Sequence, residues 1–425
     1  LILYTADFFR CFRILLYSSV MLFNVKNKLR YLWDTEWEIG EKASFFWPIV
    51  IFVALGYTTL ELFFRVGNPN PPLGFDELVL MLRGNLSVDA PLLVKTYFPY
   101  LWIGVVASCF IFRVYFIVSS YAASLQMFNR RKLHTEMAMY VISAVIVMVS
   151  TFVLFRLLGF VTWLLGMGFH TGVESMDALT HYLSQLIDTH IPTIVHLPYP
   201  LALLFLILGF NVSSLAGYFI HWLTHQSRFL WLTVHRPHHM PEILHPIGVP
   251  LAFNFGFLLA IPHVLFSVFF AKLFYEGSLL METTLVLIFY YHFEIFNHLS
   301  THYHMAYHNK LVRFFSDITG SGIYHYMHHT SEEGKETVNL GGGFFMLWDR
   351  LFRTFEQPPA LPPRTGLTNN PVFVRNPFRV TFSGFAQIWY EMKHNKHWKT
   401  RWLILFGDVY YKPPVTKEYL ILGYQ

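Results

Sequence analysis

The chemistry-bearing residues of this chain are histidines, and their spacing is patterned. His221 and His225 form H-x-x-x-H, a spacing that on a helix sets both imidazoles on one face. Just beyond, His235, His238 and His239 form H-x-x-H-H, and His325, His328 and His329 repeat the same pentad later in the chain. Eight neutral imidazoles gathered without carboxylate partners are costly to desolvate unless a cation holds them, and imidazole is a good ligand for first-row metals. His298, which ends the run Phe293-Glu294-Ile295-Phe296-Asn297-His298, is a ninth candidate, in competition with His302 and His304. A zinc site closes at about four ligands and an octahedral ion takes about six, so this many nitrogens implies two metals.

Other features have structural readings. Isolated His134, His181, His190 and His263 are expected to be interfacial or hydrogen-bonded side chains. The run Gly341-Gly342-Gly343 lacks a surrounding Walker or dinucleotide pattern, so it is expected to make a tight turn before Trp348 and not a nucleotide site.

Elements that could carry these histidines follow from composition. Of the 425 residues, 54% are hydrophobic and 13% charged, where soluble domains run to roughly a quarter charged. With 19% aromatic residues and a mean hydropathy of +0.41, the expectation is an all-α, polytopic transmembrane helical domain with a histidine-rich cap on the cytosolic or matrix face. About six segments meet the span length: Phe45 to Phe64, Tyr97 to Tyr121, Met137 to Leu165, Pro200 to Ile220, Pro250 to Tyr275 and Leu279 to His298. Ile14 to Phe23 is too short and reads as an interfacial helix. Lys26, Lys28 and Arg30, then Arg130, Arg131 and Lys132, then His221 are separated by pairs of spans, which puts all three groups on one face.

The net charge of +5 lies in residues flanking apolar segments, which argues against a nucleic-acid partner. Two cysteines, Cys11 and Cys109, support neither a disulfide framework nor a thiolate metal site. The first residue is Leu1 and not Met, for which the expectation is either a removed leader or an incompletely assigned start, and the former keeps an organellar membrane in play.

Taken in order, H-x-x-x-H, H-x-x-H-H, a span-terminal Asn297-His298 and a second H-x-x-H-H followed by Leu347-Trp348-Asp349-Arg350-Leu351-Phe352-Arg353-Thr354-Phe355 resemble the fatty acid hydroxylase/sterol desaturase superfamily. The tail, with Gly366-Leu367-Thr368 and Phe378-Arg379-Val380, is similar to members close to alkylglycerol monooxygenase. The resemblance implies two iron ions held by His221, His225, His235, His238, His239, His325, His328 and His329, with His298, and zinc as a substitute in purified protein. It implies an oxygen-dependent hydroxylation or desaturation of an acyl, alkyl or sterol lipid, with electrons from an external donor, either a cytochrome b5-type protein or a reduced pterin. Where many relatives follow the first motif with glutamate, this chain has Gln226, which offers no carboxylate.

The expected organisation is an interfacial segment (1–44), transmembrane helices (45–199), a hydroxylase-like domain (200–356) and a polar, aromatic tail (357–425). The endoplasmic reticulum or a bacterial inner membrane is the expected location, with the mitochondrial inner membrane as the alternative. A contrasting expectation is a non-catalytic subunit of a larger membrane assembly, suggested by Gln226 and by the aromatic tail, whose Trp and Tyr side chains suit a partner or, beside Lys393, Lys396 and Lys399, lipid headgroups.

Overall fold

The computed structural model describes residues 32–35, 74–164, 182–244, 257–286, 297–298, 300–367 and 375–417, apart from 85, 184, 278, 280, 284, 336 and 342. Among them there is no strand, only isolated bridges between Ser227 and Asp408 and between Thr330 and Thr365. The all-α expectation therefore stands.

Twelve helices concern the site: α1 (Phe75–Gly84), α2 (Leu92–Met127), α3 (Arg130–Leu164), α4 (Tyr199–Leu208), α5 (Phe210–Gln226), α6 (Phe257–Lys272), α7 (Ser300–His308), α8 (Lys310–Thr319), α9 (Ile323–His328), α10 (Leu347–Phe352), α11 (Pro377–His394) and α12 (Trp398–Phe406). Between α5 and α6 the chain makes short helical turns, Arg228–Leu230, a π turn Trp231–His235, and Arg236–His239.

No helix among the described residues is long and apolar enough to cross a membrane, which corrects the spanning part of the expectation. The segment read as one span from Pro200 to Ile220 is divided at Gly209 into α4, of 10 residues, and α5, of 17, each below the roughly 20 that a bilayer needs. The longer α2 and α3 have 36 and 35 residues. Phe45 to Phe64, Ile14 to Phe23, Pro250 to Gly256 and most of Leu279 to His298 lie outside the described residues.

Local sequence signals explain the ends that matter. Asn309 caps α8 by accepting from the amides of Leu311 and Val312 at 2.9 and 3.2 Å, and Asn376, followed by Pro377, caps α11 by accepting from Arg379 at 3.0 Å. Gly322 precedes α9 with φ +66°, and a Cβ there would lie 2.6 Å from His302 Nε2; only glycine fits both demands.

Packing builds a brace around the second histidine motif. Leu133, Met137 and Val141 of α3 pack with Ile243, and Tyr140 packs with Met240 and with Val380 of α11. Leu232 of the π turn packs with Ile388 of α11 and Ile404 of α12. The segment from Trp231 to Leu244 is thus held on one side by α3 and on another by α11.

Candidate metal centre

The structure brings all nine candidate histidines together in two groups. His221, His225, His235, His239 and His328 form the first and His238, His298, His325 and His329 the second, with the ligand atoms of each group within 4.8 Å of one another. His298 is the one of its three competitors that joins. His302 instead places Nε2 3.1 Å from Ser316 Oγ, and His304 belongs to neither group. Of the isolated histidines, His134 meets the Tyr121 hydroxyl at 2.8 Å and His190 Nδ1 donates to the Leu186 carbonyl at 3.0 Å; His181 and the His263 side chain lie outside the described residues.

Each ligand has a local reason for its place. Helix α5 aligns His221 and His225 one turn apart, and the π turn sets His235 beside them. His238 and His239, being adjacent, point apart, so one motif serves both groups. In the second pentad, helix α9 and its C-cap divide the same way, with His328 in the first group and His325 and His329 in the second.

Within the first group Nε2 atoms face one another at 3.1 Å (His221 to His235), 2.9 Å (His225 to His235), 3.0 Å (His239 to His235) and 3.1 Å (His225 to His328). In the second the separations are 3.4 Å (His298 to His238), 3.3 Å (His325 to His298), 3.1 Å (His329 to His238) and 3.1 Å (His329 to His325). Hydrogen bonds cannot account for all of these contacts. The Nδ1 atoms of His221 and His328 meet the carbonyls of Leu340 and Val338, the latter at 2.8 Å. A carbonyl only accepts, so these Nδ1 atoms carry the hydrogens and, in a neutral ring, Nε2 presents a bare lone pair. His235 Nε2 has three facing nitrogens and at most one hydrogen to share. Lone pairs converging on one point are an arrangement that could hold a metal ion.

Protonation does not supply that cation. Burial lowers the imidazole of His221 to about 4. Burial first, and then the neighbouring imidazoles, hold His225, His235, His239, His325 and His329 well below the usual histidine range; burial and His221 do the same to His328. Neutral imidazole is the form that binds metal. With metal–nitrogen bonds of about 2.0–2.1 Å, cis ligands stand about 2.9 Å apart at right angles and about 3.4 Å apart in a tetrahedron. The first group matches the closer spacing and the second covers both. No Asp or Glu joins either group among the described residues, in keeping with Gln226 after the first motif.

An outer layer positions these rings, and the sequence reading missed it. The loop that offers its Val338 and Leu340 carbonyls to His328 and His221 is itself held by Asp349 of α10. The Asp349 carboxylate accepts from the amides of Leu340 and Gly341 at 2.7 and 2.9 Å and from Thr354 Oγ1 at 2.7 Å. Burial raises the Asp349 carboxyl to about 6 against those bonds. The expected turn at Gly341 and Gly343 is present, with φ of +86° and +79°, and Trp348 Nε1 donates to the Asn211 carbonyl at 2.8 Å, tying the loop to α5.

A second brace comes from α11. Arg228 is bound to Glu391 at 2.8 Å, the two side chains 4% and 0% exposed, and donates to the carbonyls of Tyr411 and Ile404 at 3.0 and 3.2 Å. Arg236, beside His235, donates to Gln387 Oε1 at 3.2 Å. Gly384 lets α11 touch the π turn, since a Cβ there would fall 1.9 Å from the Leu232 carbonyl oxygen. One face of the tail therefore packs on the chain's own histidine segment.

Residues 206–354 match the family model described as fatty acid hydroxylase, a range containing all nine histidines and Asp349. No curated protein and no solved structure matches the chain. The matched range ends before Gly366-Leu367-Thr368, so the closer likeness to alkylglycerol monooxygenase gains no support from it.

Proposed function

We propose that this chain, which through residues 206–354 belongs to the fatty acid hydroxylase/sterol desaturase superfamily, is a membrane-bound, O2-dependent lipid hydroxylase or desaturase with one metal ion in each histidine group. The family consists in general of oxidative enzymes that modify lipids. The single observation carrying the reading is the convergence of nine imidazoles, seven buried and two half-buried, on two points, with bare Nε2 lone pairs at His221 and His328.

The chemistry supplied by the metals when bound is redox activation of dioxygen, which favours iron over zinc because zinc has no redox chemistry. The chain's own residues supply the rest. His221 and His328 are held in the metal-binding tautomer by the Leu340 and Val338 carbonyls. The protein buries the ligands, so that protons compete for them only in acid, and it keeps water from the bases. Hydroxylation balances as one C–H bond and one O2 giving C–OH and water, with two electrons and two protons drawn from an external donor, a cytochrome b5-type protein or a reduced pterin.

Membrane placement is supported by long helices that turn large apolar side chains outward: Leu101, Ile111 and Val118 on α2, and Val145, Val149, Val153, Leu157 and Trp163 on α3. A soluble surface would not normally carry such a run. A lipid substrate, acyl, alkyl or sterol, is the class that the family likeness supports.

The test is incubation of detergent-purified protein with a membrane lipid extract, a reductant and 18O2, followed by mass spectrometry. A lipid that gains one 18O atom, or loses two hydrogens, only when dioxygen and reductant are both present is the expected result. An unchanged extract with metal-replete protein and both candidate donors would overturn the enzymatic reading.

A further inference from the structure

Helix α12 shows a stripe of aromatic side chains that the fold does not use. Trp398, Trp402 and Phe406 recur at intervals of four and are 73%, 58% and 62% exposed, while Ile404 on the opposite face is fully buried against Leu232 and Ile388. The Trp402 and Phe406 rings meet at a tilt of 42°, with centroids 4.4 Å apart. Trp389 on α11 and Tyr410 beyond α12 are also exposed, at 76% and 66%.

Charge accompanies the stripe. From Gln387 to Phe406 the chain carries Lys393, Lys396, Lys399 and Arg401, and its sole acidic residue there is Glu391, buried against Arg228. Just beyond, Lys412 is exposed, and Asp408 uses a carboxylate oxygen to accept from the Tyr410 amide at 2.8 Å. The face is therefore apolar at its centre, basic at its rim and poor in free carboxylates.

Its place in the fold is fixed by backbone bonds. The Arg228 amide donates to the Gly407 carbonyl at 3.1 Å, and Ser227 pairs with Asp408. The end of α12 thus adjoins the end of α5, where Trp222, Leu223 and Phe229 are also exposed.

The geometry points to α12 as a foot that lies along a bilayer surface of anionic lipid, its Trp398–Trp402–Phe406 stripe among the acyl–headgroup boundary and its lysines and Arg401 on the phosphates. Indole and phenyl rings settle at that boundary, and basic side chains close to an anionic leaflet add favourable energy that falls within a Debye length. Because α12 rests on the π turn through Ile404 and Leu232, the foot sets the height of the histidine groups above the lipid. This rests on the membrane reading proposed above and adds to it an orientation and a headgroup class.

The experiment uses the full chain, with Cys11→Ser and Cys109→Ser, in lipid nanodiscs containing a nitroxide-labelled lipid. One environment-sensitive fluorophore is placed in turn at Trp402→Cys, at Val149→Cys on α3 and at exposed Glu333→Cys. In discs containing phosphatidylserine, quenching at 402 is expected to exceed that at 333 by about threefold and to weaken in phosphatidylcholine discs or high salt. Equal quenching with and without phosphatidylserine overturns the headgroup class. Quenching at 149 but not at 402 overturns the foot and leaves the membrane reading standing. Quenching at neither overturns both, and a water-shielded 402 without quenching, in particles of twice the expected protein mass, assigns the face to a second copy instead.

Discussion

The Asp349 carboxylate bonds loop amides and no histidine ring, yet it sets two of those rings. Its carboxylate pins the amides of Leu340 and Gly341, and that loop returns carbonyls to His221 and His328. Replacement Asp349→Asn keeps the size but turns an NH2 towards one of those donors, so metal affinity is expected to fall by about 10- to 100-fold, measured by chelator competition. An unchanged affinity would remove Asp349 from this role. His302 offers a different readout, because burial alone lowers its imidazole to about 4. Between about pH 6.5 and pH 4 the unfolded chain takes up a proton that the folded chain does not, so stability falls as pH falls through that window and levels off below it. The wild type is expected to lose up to about 3 kcal/mol more than His302→Gln over this range, read from unfolding midpoints of tryptophan fluorescence. The histidine pairing was legible because two pentads and an i, i+4 pair leave a spacing signature. Asp349's part was not, because it acts through backbone carbonyls, which every residue has. It stood in the run Leu347 to Phe355 that carried the family resemblance, without a spacing to reveal what it bonds.

Among the elements, α11 has the largest consequence for the site relative to what its sequence announces. Arg228 and Glu391 are 163 residues apart, and nothing local tells either that it has a buried partner. Glu391→Gln would leave the Arg228 guanidinium buried without its counter-charge, an expected loss of about 3–5 kcal/mol. Gly384→Ala forces a methyl group into the Leu232 carbonyl, and a loss of about 1–3 kcal/mol is expected as α11 backs away from the π turn. Both variants should also raise amide hydrogen exchange across Trp231 to His239, a readout independent of metal; exchange that rises uniformly over the chain would contradict a specific brace. The helices α2 to α6 were legible from apolar runs, while those after residue 300 carry no such signal. Where hydropathy misled was continuity: a window of apolar residues around Gly209 reads as one span, while the chain makes two helices there.

For the whole molecule, the account joins a histidine centre outside any single helix to two braces, one from the loop at 338–341 and one from α11, with α12 turned outward. Each brace reaches the first histidine group: the loop through the Nδ1 atoms of His221 and His328, α11 through the π turn that bears His235. The second group lies between α9, the pentad at His238 and His298. The central claim is that each group holds one metal. Elemental analysis of protein purified in mild detergent tests it most directly, with His225→Ala/His239→Ala and His298→Ala/His329→Ala beside the wild type. About two metal ions per wild-type chain and about one in each double variant is the predicted result. Folded wild-type protein with metal far below one per chain, after reconstitution with ferrous iron, would contradict it.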